Sequence, residues 1–418
     1  MHENLEKVDT AILVGVHRDL PDALADTTEA SMKELSALAE TAGALVVGEV
    51  VQNREAADRA TFVGEGKLVE IREAAESLGA NLLIFDDELT GSQLRNIEEA
   101  TGLSVIDRSA LILDIFAGRA RSGEGKLQVE LAQLKYNLPR LSGGYKSLSR
   151  LGGGIGTRGP GETKLESDRR HIRSRIGALE KEIASLSRHR QLIRDRRKKN
   201  ETPTAALIGY TNAGKSTLLN TLTGAGVLAE NMLFATLDPT ARVLTLQDGR
   251  QALLVDTVGF IRKLPHHLIE AFKSTLEEAV TADVLVHVVD ASSEEMENQI
   301  AVVEKLLDEL GCWGKPMITV YNKCDSVPTL LEEKPTDTRV YISAKHGNGL
   351  TALVALLDEL LPGRRRKMQL LLPYADGSVM HTIRHGGDIL LEEYTPDGIR
   401  IDCMADAALF ASVAKYQL

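Results

Sequence analysis

The segment Gly209-Tyr210-Thr211-Asn212-Ala213-Gly214-Lys215-Ser216 carries the spacing G-x-x-x-x-G-K-S. Glycines at these positions let successive backbone N–H groups close around a phosphate chain. Lys215 supplies a cation for the β- and γ-oxygens, and the Ser216 hydroxyl can bind magnesium. An apolar strand, Thr204–Gly209, leads into the segment, and Thr217 continues it into the helix-like run STLLNTL. That is the setting the chemistry requires, because the helix N-terminus adds its own partial positive charge.

Three further patterns follow in order, each after a strand-like run. Asp256-Thr257-Val258-Gly259 ends ALLVD; its aspartate can hold magnesium through water, and the Gly259 N–H can meet a γ-phosphate. Asn322-Lys323-Cys324-Asp325 ends MITVY; a carboxylate at Asp325 can accept two hydrogen bonds from guanine N1–H and its amine, which adenine cannot offer together. Ser343-Ala344-Lys345 ends VYIS, and its backbone can contact the guanine oxygen. The four together describe a GTP site. Between the first two lies a loop, 226–240, containing FATLDPT. A threonine there completes magnesium coordination when the γ-phosphate is present; Thr236 is the first choice and Thr240 the second. The catalytic set expected is Lys215, Thr236 and Gly259. Phe260 stands where a glutamine would orient water, so hydrolysis alone should be slow and need a group from a partner or another element. Asn212 either holds a potassium ion that adds charge to the transition state or stabilises the loop by a hydrogen bond.

The elements that must position these residues divide the chain into four. Residues 1–117 alternate strand-like runs at 11–16, 44–51, 81–87 and 103–108, read as buried strands, with helix-like runs at 28–42, 67–79 and 91–101. This implies a parallel-sheet α/β domain. Within it Gly64-Glu65-Gly66-Lys67 is either a phosphate contact or a turn before a helix, and lacks the glycine spacing of a phosphate loop. Residues 118–200 carry Leu127, Leu131, Leu134, Leu138 and Leu141, then a second seam from Leu165 to Ile193 interrupted by Arg169 and Arg190. Two such stripes pair as an antiparallel helical hairpin, the second helix about 54 Å long. Between them runs a loop, 142–163, with eight glycines and with Lys146, Arg150 and Arg158. It reads as a probe for RNA, or as a disordered tip. Residues 201–363 form the GTPase domain, and 364–418 a small α+β domain. The fold class is therefore α/β: a parallel-sheet domain, a helical arm, a P-loop GTPase domain and a C-terminal appendage.

Charge sharpens this division. The 418 residues carry a net −11, yet 118–199 hold 21 Lys+Arg against 8 Asp+Glu, between two acidic flanks. A local basic block suggests a polyanion, most often nucleic acid. Three scattered cysteines exclude a disulfide framework or zinc pattern. The N-terminus lacks the form of a secretory signal, and no apolar run is long enough for a membrane span. A cytoplasmic protein without membrane insertion is expected.

These motifs, G-Y-T-N-A-G-K-S-T, F-A-T-L-D-P-T, D-T-V-G-F-I and N-K-C-D, behind an arm holding G-T-R-G-P-G-E-T-K-L-E, make the chain resemble the HflX family of ribosome-associated GTPases. The resemblance covers about residues 10–363. It implies a magnesium-dependent GTPase, expected to be a monomer, that binds the large ribosomal subunit and its RNA. It implies separation of stalled or idle ribosomes into subunits, particularly under stress, with hydrolysis stimulated by ribosomal RNA. An ATP site in the N-terminal domain is implied as well, but no motif here supports one. The competing reading is a GTP-gated signalling switch that docks a protein through its arm; a third is an RNA-modifying or RNA-remodelling enzyme. The basic arm favours RNA, and no second catalytic constellation accompanies it.

Overall fold

The computed structural model describes residues 8–17, 28–141, 164–199, 202–224, 233–265, 268, 276–312, 314–363, 366–405 and 407–418. The first sheet contains β1 (Thr10–His17), β2 (Leu45–Asn53), β3 (Leu82–Phe85) and β4 (Ser104–Asp107), all parallel, in the order β2-β1-β3-β4. Helices α1 (Thr28–Thr41), α2 (Glu65–Leu78) and α3 (Gly91–Thr101) cross between the strands, as strand–helix alternation requires. β1 is buried along its length. β2, expected to be buried, is instead an edge strand that exposes Leu45 and Val51. It pairs with β1 alone, so one side and alternate residues meet solvent.

A further helix, α4 (Arg108–Arg119), has no counterpart in the sequence reading. Its run LILDIF is apolar almost all round, which marks a helix buried on several sides and carries no amphipathic period. Leu111, Ile112, Leu113, Ile115 and Phe116 are all buried. Asp107 starts the helix by accepting a hydrogen bond from the Ala110 N–H at 2.9 Å. The Gly64–Lys67 segment opens α2, with Lys67 paired to Glu70 at 2.6 Å; it is a turn into a helix.

The arm pairs α5 (Gly123–Asn137) with the 36-residue α6 (Lys164–Lys199). Leu131, Leu134 and Leu179 form its core, with Leu127, Ile172, Ile176 and Ile183 against them. Arg190–Glu124 at 2.8 Å and Lys135–Glu180 at 3.0 Å set the antiparallel register. The opposite face of α5, through Val129, Ala132 and Tyr136, joins the large core that also holds α4 and the nucleotide-binding sheet. Only part of the hairpin therefore projects. The loop 142–163, with Lys146, Arg150 and Arg158, lies outside the described residues.

The second sheet has six strands in the order β10-β9-β8-β5-β7-β6. β5 (Thr204–Gly209), β7 (Gln251–Asp256), β8 (Val284–Asp290), β9 (Met317–Asn322) and β10 (Arg339–Tyr341) are parallel. β6 (Thr240–Thr245) is an antiparallel edge beside β7. The phosphate-loop residues follow the C-terminal end of central β5, between its neighbours β7 and β8, where open α/β sheets leave a crevice. A third, antiparallel sheet, β11 (Arg366–Leu372), β13 (Gly398–Ala405) and β12 (Gly387–Thr395), packs with helices Ser378–Gly386 and Ala407–Val413 over Leu370, Ile383 and Ile401. Among the described residues no helix is long and apolar enough to cross a membrane.

Leu179 alone among the described residues of α6 is fully buried. Leu179→Ala should therefore cost about 3 kcal/mol of arm stability. The expected result is a lower urea midpoint with α6 opening first, read by hydrogen exchange, while fluorescent GDP binding at low urea stays unchanged.

Candidate active site

The phosphate-loop backbone is shaped by glycines that no other residue could replace. Gly209 has φ +147°, and a Cβ there would lie 2.2 Å from the Val288 carbonyl oxygen. Gly214 has φ +96°, and a Cβ there would lie 2.3 Å from Asn322 Nδ2. The next residue, Lys215, opens helix α7 (Lys215–Thr223) and is buried. Its Nζ donates to the carbonyls of Gly209 at 3.1 Å and Tyr210 at 2.8 Å. Burial lowers its pKa to about 8, against the pull of Asp256. A desolvated ammonium at the mouth of a helix N-terminus is poised for an anion.

Three oxygens converge beside it. Ser216 Oγ donates to Asp256 Oδ2 at 2.6 Å and lies 2.7 Å from Thr236 Oγ1. Asp256 is fully buried; burial raises its pKa, while Lys215, Ser216 and Thr236 pull it down. Its Oδ1 has no hydrogen-bond partner among the described residues. Two hydroxyls and an under-used carboxylate are the hard oxygen donors that magnesium takes, with water completing its shell. The structure brings Thr236 to this point. Thr240 opens β6 opposite Asp256 in the antiparallel ladder and is a strand residue.

The guanine side is tied to the phosphate side by Asn322. Its Nδ2 donates to the Ala213 carbonyl at 2.8 Å, and its Oδ1 accepts from the Ala344 N–H at 2.9 Å. Ser343 Oγ donates to Asp325 Oδ1 at 2.6 Å, a bond that holds the Asp325 carboxyl below its usual range. Lys323, at φ +63°, reaches Asp290 at 2.7 Å. Lys345 is exposed beside them, Thr217 follows Ser216 along the cavity wall, and Thr257 Oγ1 donates to the Leu207 carbonyl at 2.7 Å. Val258 and Phe260 are buried, Phe260 to 1% exposure, so its ring packs in the core. Asn212 is exposed, at φ +59°, on the rim.

The contacts that sequence reasoning missed join this site to the rest of the chain. Asp238, in the same FATLDPT segment as Thr236, accepts from the N–H groups of Arg121 at 3.1 Å and Ser122 at 2.8 Å, and from the Ser122 hydroxyl. Ser122 is the N-cap of α5, bonded to the Gly125 N–H at 2.8 Å. A Cβ on Gly125 would lie 2.4 Å from Asp238 Oδ1, so a larger residue there would force that carboxylate to shift. Phe234 packs edge-on against Phe116 of α4, with centroids 4.7 Å apart. On the other side of the pocket, the Tyr210 hydroxyl donates to Glu34 and accepts from the Arg262 N–H at 2.8 Å. Lys263 pairs with Asp86, and Arg108 joins Glu34 to Asp86 at 2.6 Å. Only the unusual density of Asp and Glu in Phe85-Asp86-Asp87-Glu88 hinted at this network.

Two outcomes check the geometry. Nucleotide binding must find Lys215 protonated, so affinity should fall as pH rises through about 8; at pH 8.5 fluorescent GDP should bind about fourfold more weakly than at pH 7. A flat profile would contradict the buried ammonium. Lys215→Ala should abolish tight binding at every pH. Asp325→Asn should turn preference from GTP toward XTP, whose exocyclic oxygen suits an amide donor, in a competition assay.

Three family models match in sequence: GTP-binding GTPase N-terminal over residues 29–117, GTP-binding GTPase Middle Region over 119–197, and 50S ribosome-binding GTPase over 204–323. The chain is 52% identical to the GTPase HflX of Lacrimispora saccharolytica, over 93% of this chain and 92% of that protein. It is 51% identical to the GTPase HflX of Caldanaerobacter subterraneus subsp. tengcongensis, over 96% and 92%. A GTP-binding protein of the archaeon Sulfolobus solfataricus, solved in complex with GDP, aligns at 27% identity over 84% of this chain and 98% of that one, with a TM-score of 0.44. Likeness of 51–52% to two GTPases HflX over more than nine-tenths of both chains, on a chain whose four nucleotide motifs are joined by the Ser216–Asp256, Asn322–Ala213 and Asn322–Ala344 hydrogen bonds, means that it hydrolyses GTP and belongs to the HflX family of GTPases.

Proposed function

We propose that this protein is a GTP-switched factor that binds the large ribosomal subunit through its basic arm and separates stalled or idle ribosomes into subunits. The observation that carries the reading is Asp238. The segment that brings Thr236 to the proposed magnesium position also holds Ser122, the N-cap of the arm's first helix. Loss of the γ-phosphate releases such segments, and release would withdraw the support that Asp238 gives the Ser122 cap of α5. A bistable element touching both the nucleotide and the RNA-binding arm is what a switch needs.

The remaining assignments follow from this reading. Ser216 and Thr236, with Asp256 through water, would hold magnesium, which would supply positive charge to the β- and γ-phosphates. Lys215, Gly259 and the backbone of 209–217 hold the phosphates; Asn322, Lys323, Asp325 and Ser343–Lys345 read guanine; Asn212 is a candidate potassium ligand. Four domains, 1–117, 118–200, 201–363 and 364–418, act as one monomer in the cytoplasm, under stress above all. Lys146, Arg150 and Arg158 in the loop 142–163 meet ribosomal RNA. Support for an RNA partner comes from the basic surplus of 118–199, and for the large subunit from the 50S ribosome-binding GTPase match. The buried ring of Phe260 supports slow hydrolysis alone and stimulation on the ribosome.

Sucrose-gradient sedimentation tests the reading directly. Whole ribosomes should resolve into subunits with the protein and a non-hydrolysable GTP analogue, and stay whole with GDP; whole ribosomes under both conditions would refute splitting. Asp238→Ala should keep GTP affinity within about twofold but reduce the GTP-over-GDP preference of ribosome binding from at least about fivefold to near one. Replacing Lys146, Arg150 and Arg158 by alanine should flatten the salt dependence of ribosome pelleting by up to about three units of slope.

A further inference from the structure

In-line attack on a γ-phosphate leaves the protein little to do except position water and stabilise charge. Phe260 occupies the place of the usual water-orienting side chain and is packed in the core. A substitute must present a polar atom at the phosphate cavity, be shielded from solvent, and have no competing protein partner.

Among the described residues Thr211 meets all three conditions. It lines the cavity with Lys215, Ser216, Thr236 and Gly259. It is 6% exposed, and its hydroxyl has no hydrogen-bond partner among the described residues. Leaving a buried hydroxyl unpaired is costly, and such groups in a well-packed site call for a ligand or a role. Thr257, the other buried hydroxyl of the cavity, is engaged with the Leu207 carbonyl, and the half-buried Ser216 and Thr236 are engaged with each other and Asp256.

Its position is held from both sides. The Thr211 N–H donates to the Phe260 carbonyl at 2.8 Å. A Cβ built on Gly259 would lie 2.8 Å from Thr211 Cα and 3.0 Å from Lys215 Nζ. Thr211, Gly259 and the ammonium therefore crowd one point, where the γ-phosphoryl end of a triphosphate held by this loop must lie. Thr211 also borders a second cavity of about 530 Å³, walled by Glu29, Glu34 and Glu295, which can supply water to that end.

We propose that Thr211 is a catalytic residue of the hydrolysis: its hydroxyl accepts a hydrogen bond from the attacking water and donates one to a γ-phosphoryl oxygen. The water oxygen bonds to the γ-phosphorus as the bond to the β–γ bridging oxygen breaks. The electron pair leaves with GDP, and the water proton ends on inorganic phosphate. Thr211 keeps its own proton throughout and serves to orient. The proposal rests on the GTPase activity and is independent of any ribosomal role.

The experiment compares Thr211→Val, which keeps the shape and loses the hydroxyl, with Thr211→Ser, which keeps the hydroxyl. Single-turnover hydrolysis by the full chain should fall about 10- to 100-fold in the valine variant and recover to within about threefold in the serine variant. Fluorescent GDP and GTP-analogue affinities should stay within about threefold in both. The fluorescence change on adding aluminium fluoride to the GDP complex, which reports the transition-state geometry, should be lost with valine and retained with serine. Hydrolysis by Thr211→Val at the wild-type rate would overturn the proposal. So would equal losses of rate and nucleotide affinity in both variants, since that pattern belongs to packing.

Discussion

A desolvated ammonium is the constraint on which the rest of this structure depends. Lys215 is buried at the start of α7, held by two backbone carbonyls, and has its pKa pulled down to about 8. Carbonyls do not neutralise a cation. A buried ammonium met by carbonyls and a helix N-terminus favours an anion in the cavity beside it. Gly209 and Gly214 give the backbone its path, Asn322 ties the guanine side to the loop, and Asp256 stands close enough to share the field without forming a closed pair.

The same economy of contacts explains how the site communicates. Thr236 and Asp238 are two residues apart in one segment, yet one meets Ser216 at the start of α7 and the other holds the N-cap of the arm. Two positions separated by one residue are coupled, so a displacement of Thr236 bears on Asp238. On the opposite side Tyr210, within the phosphate loop, holds the Arg262 N–H and meets Glu34 on α1. Glu34, Asp86, Arg108 and Lys263 then form a largely buried charge network between the N-terminal sheet and the segment after Phe260. Removing one partner of such a network leaves an unpaired buried charge and costs several kcal/mol. Its members therefore act as a unit, and the N-terminal sheet bears on both walls of the pocket.

Local pattern explains most of the architecture. β1, β3, β4, β5 and β8 are short apolar runs bounded by turns, and the hairpin follows from leucines at alternating spacings of four and three. Where local pattern failed, tertiary placement was the cause. β2 has the composition of an inner strand, but a sheet must end somewhere, and the order β2-β1-β3-β4 puts it at the edge. α4 has no amphipathic period because α5 and the nucleotide-binding side cover faces that would otherwise be wet. The leucine stripe of the first arm helix accounts for its pairing in the hairpin, but not for its Val129, Ala132 and Tyr136 face, which belongs to the central core.

The chemistry of the nucleotide site was legible in the chain itself, because backbone cradling of phosphate demands glycines and a lysine at a fixed short spacing. Each motif is a contiguous stretch at a strand end, so its geometry is almost entirely local. The chain itself already makes Thr236 the first choice over Thr240, four residues on; what the tertiary structure adds is that Thr236 Oγ1 lies 2.7 Å from Ser216 Oγ while Thr240 starts β6. The partners of Asp238, Tyr210 and Lys263, which lie 116, 176 and 177 residues away along the chain, were not legible. Contacts of that separation leave no periodicity for a sequence reading to detect. They exist only once three layers have packed, and the free hydroxyl of Thr211 is visible only when every neighbour's hydrogen bond has been placed.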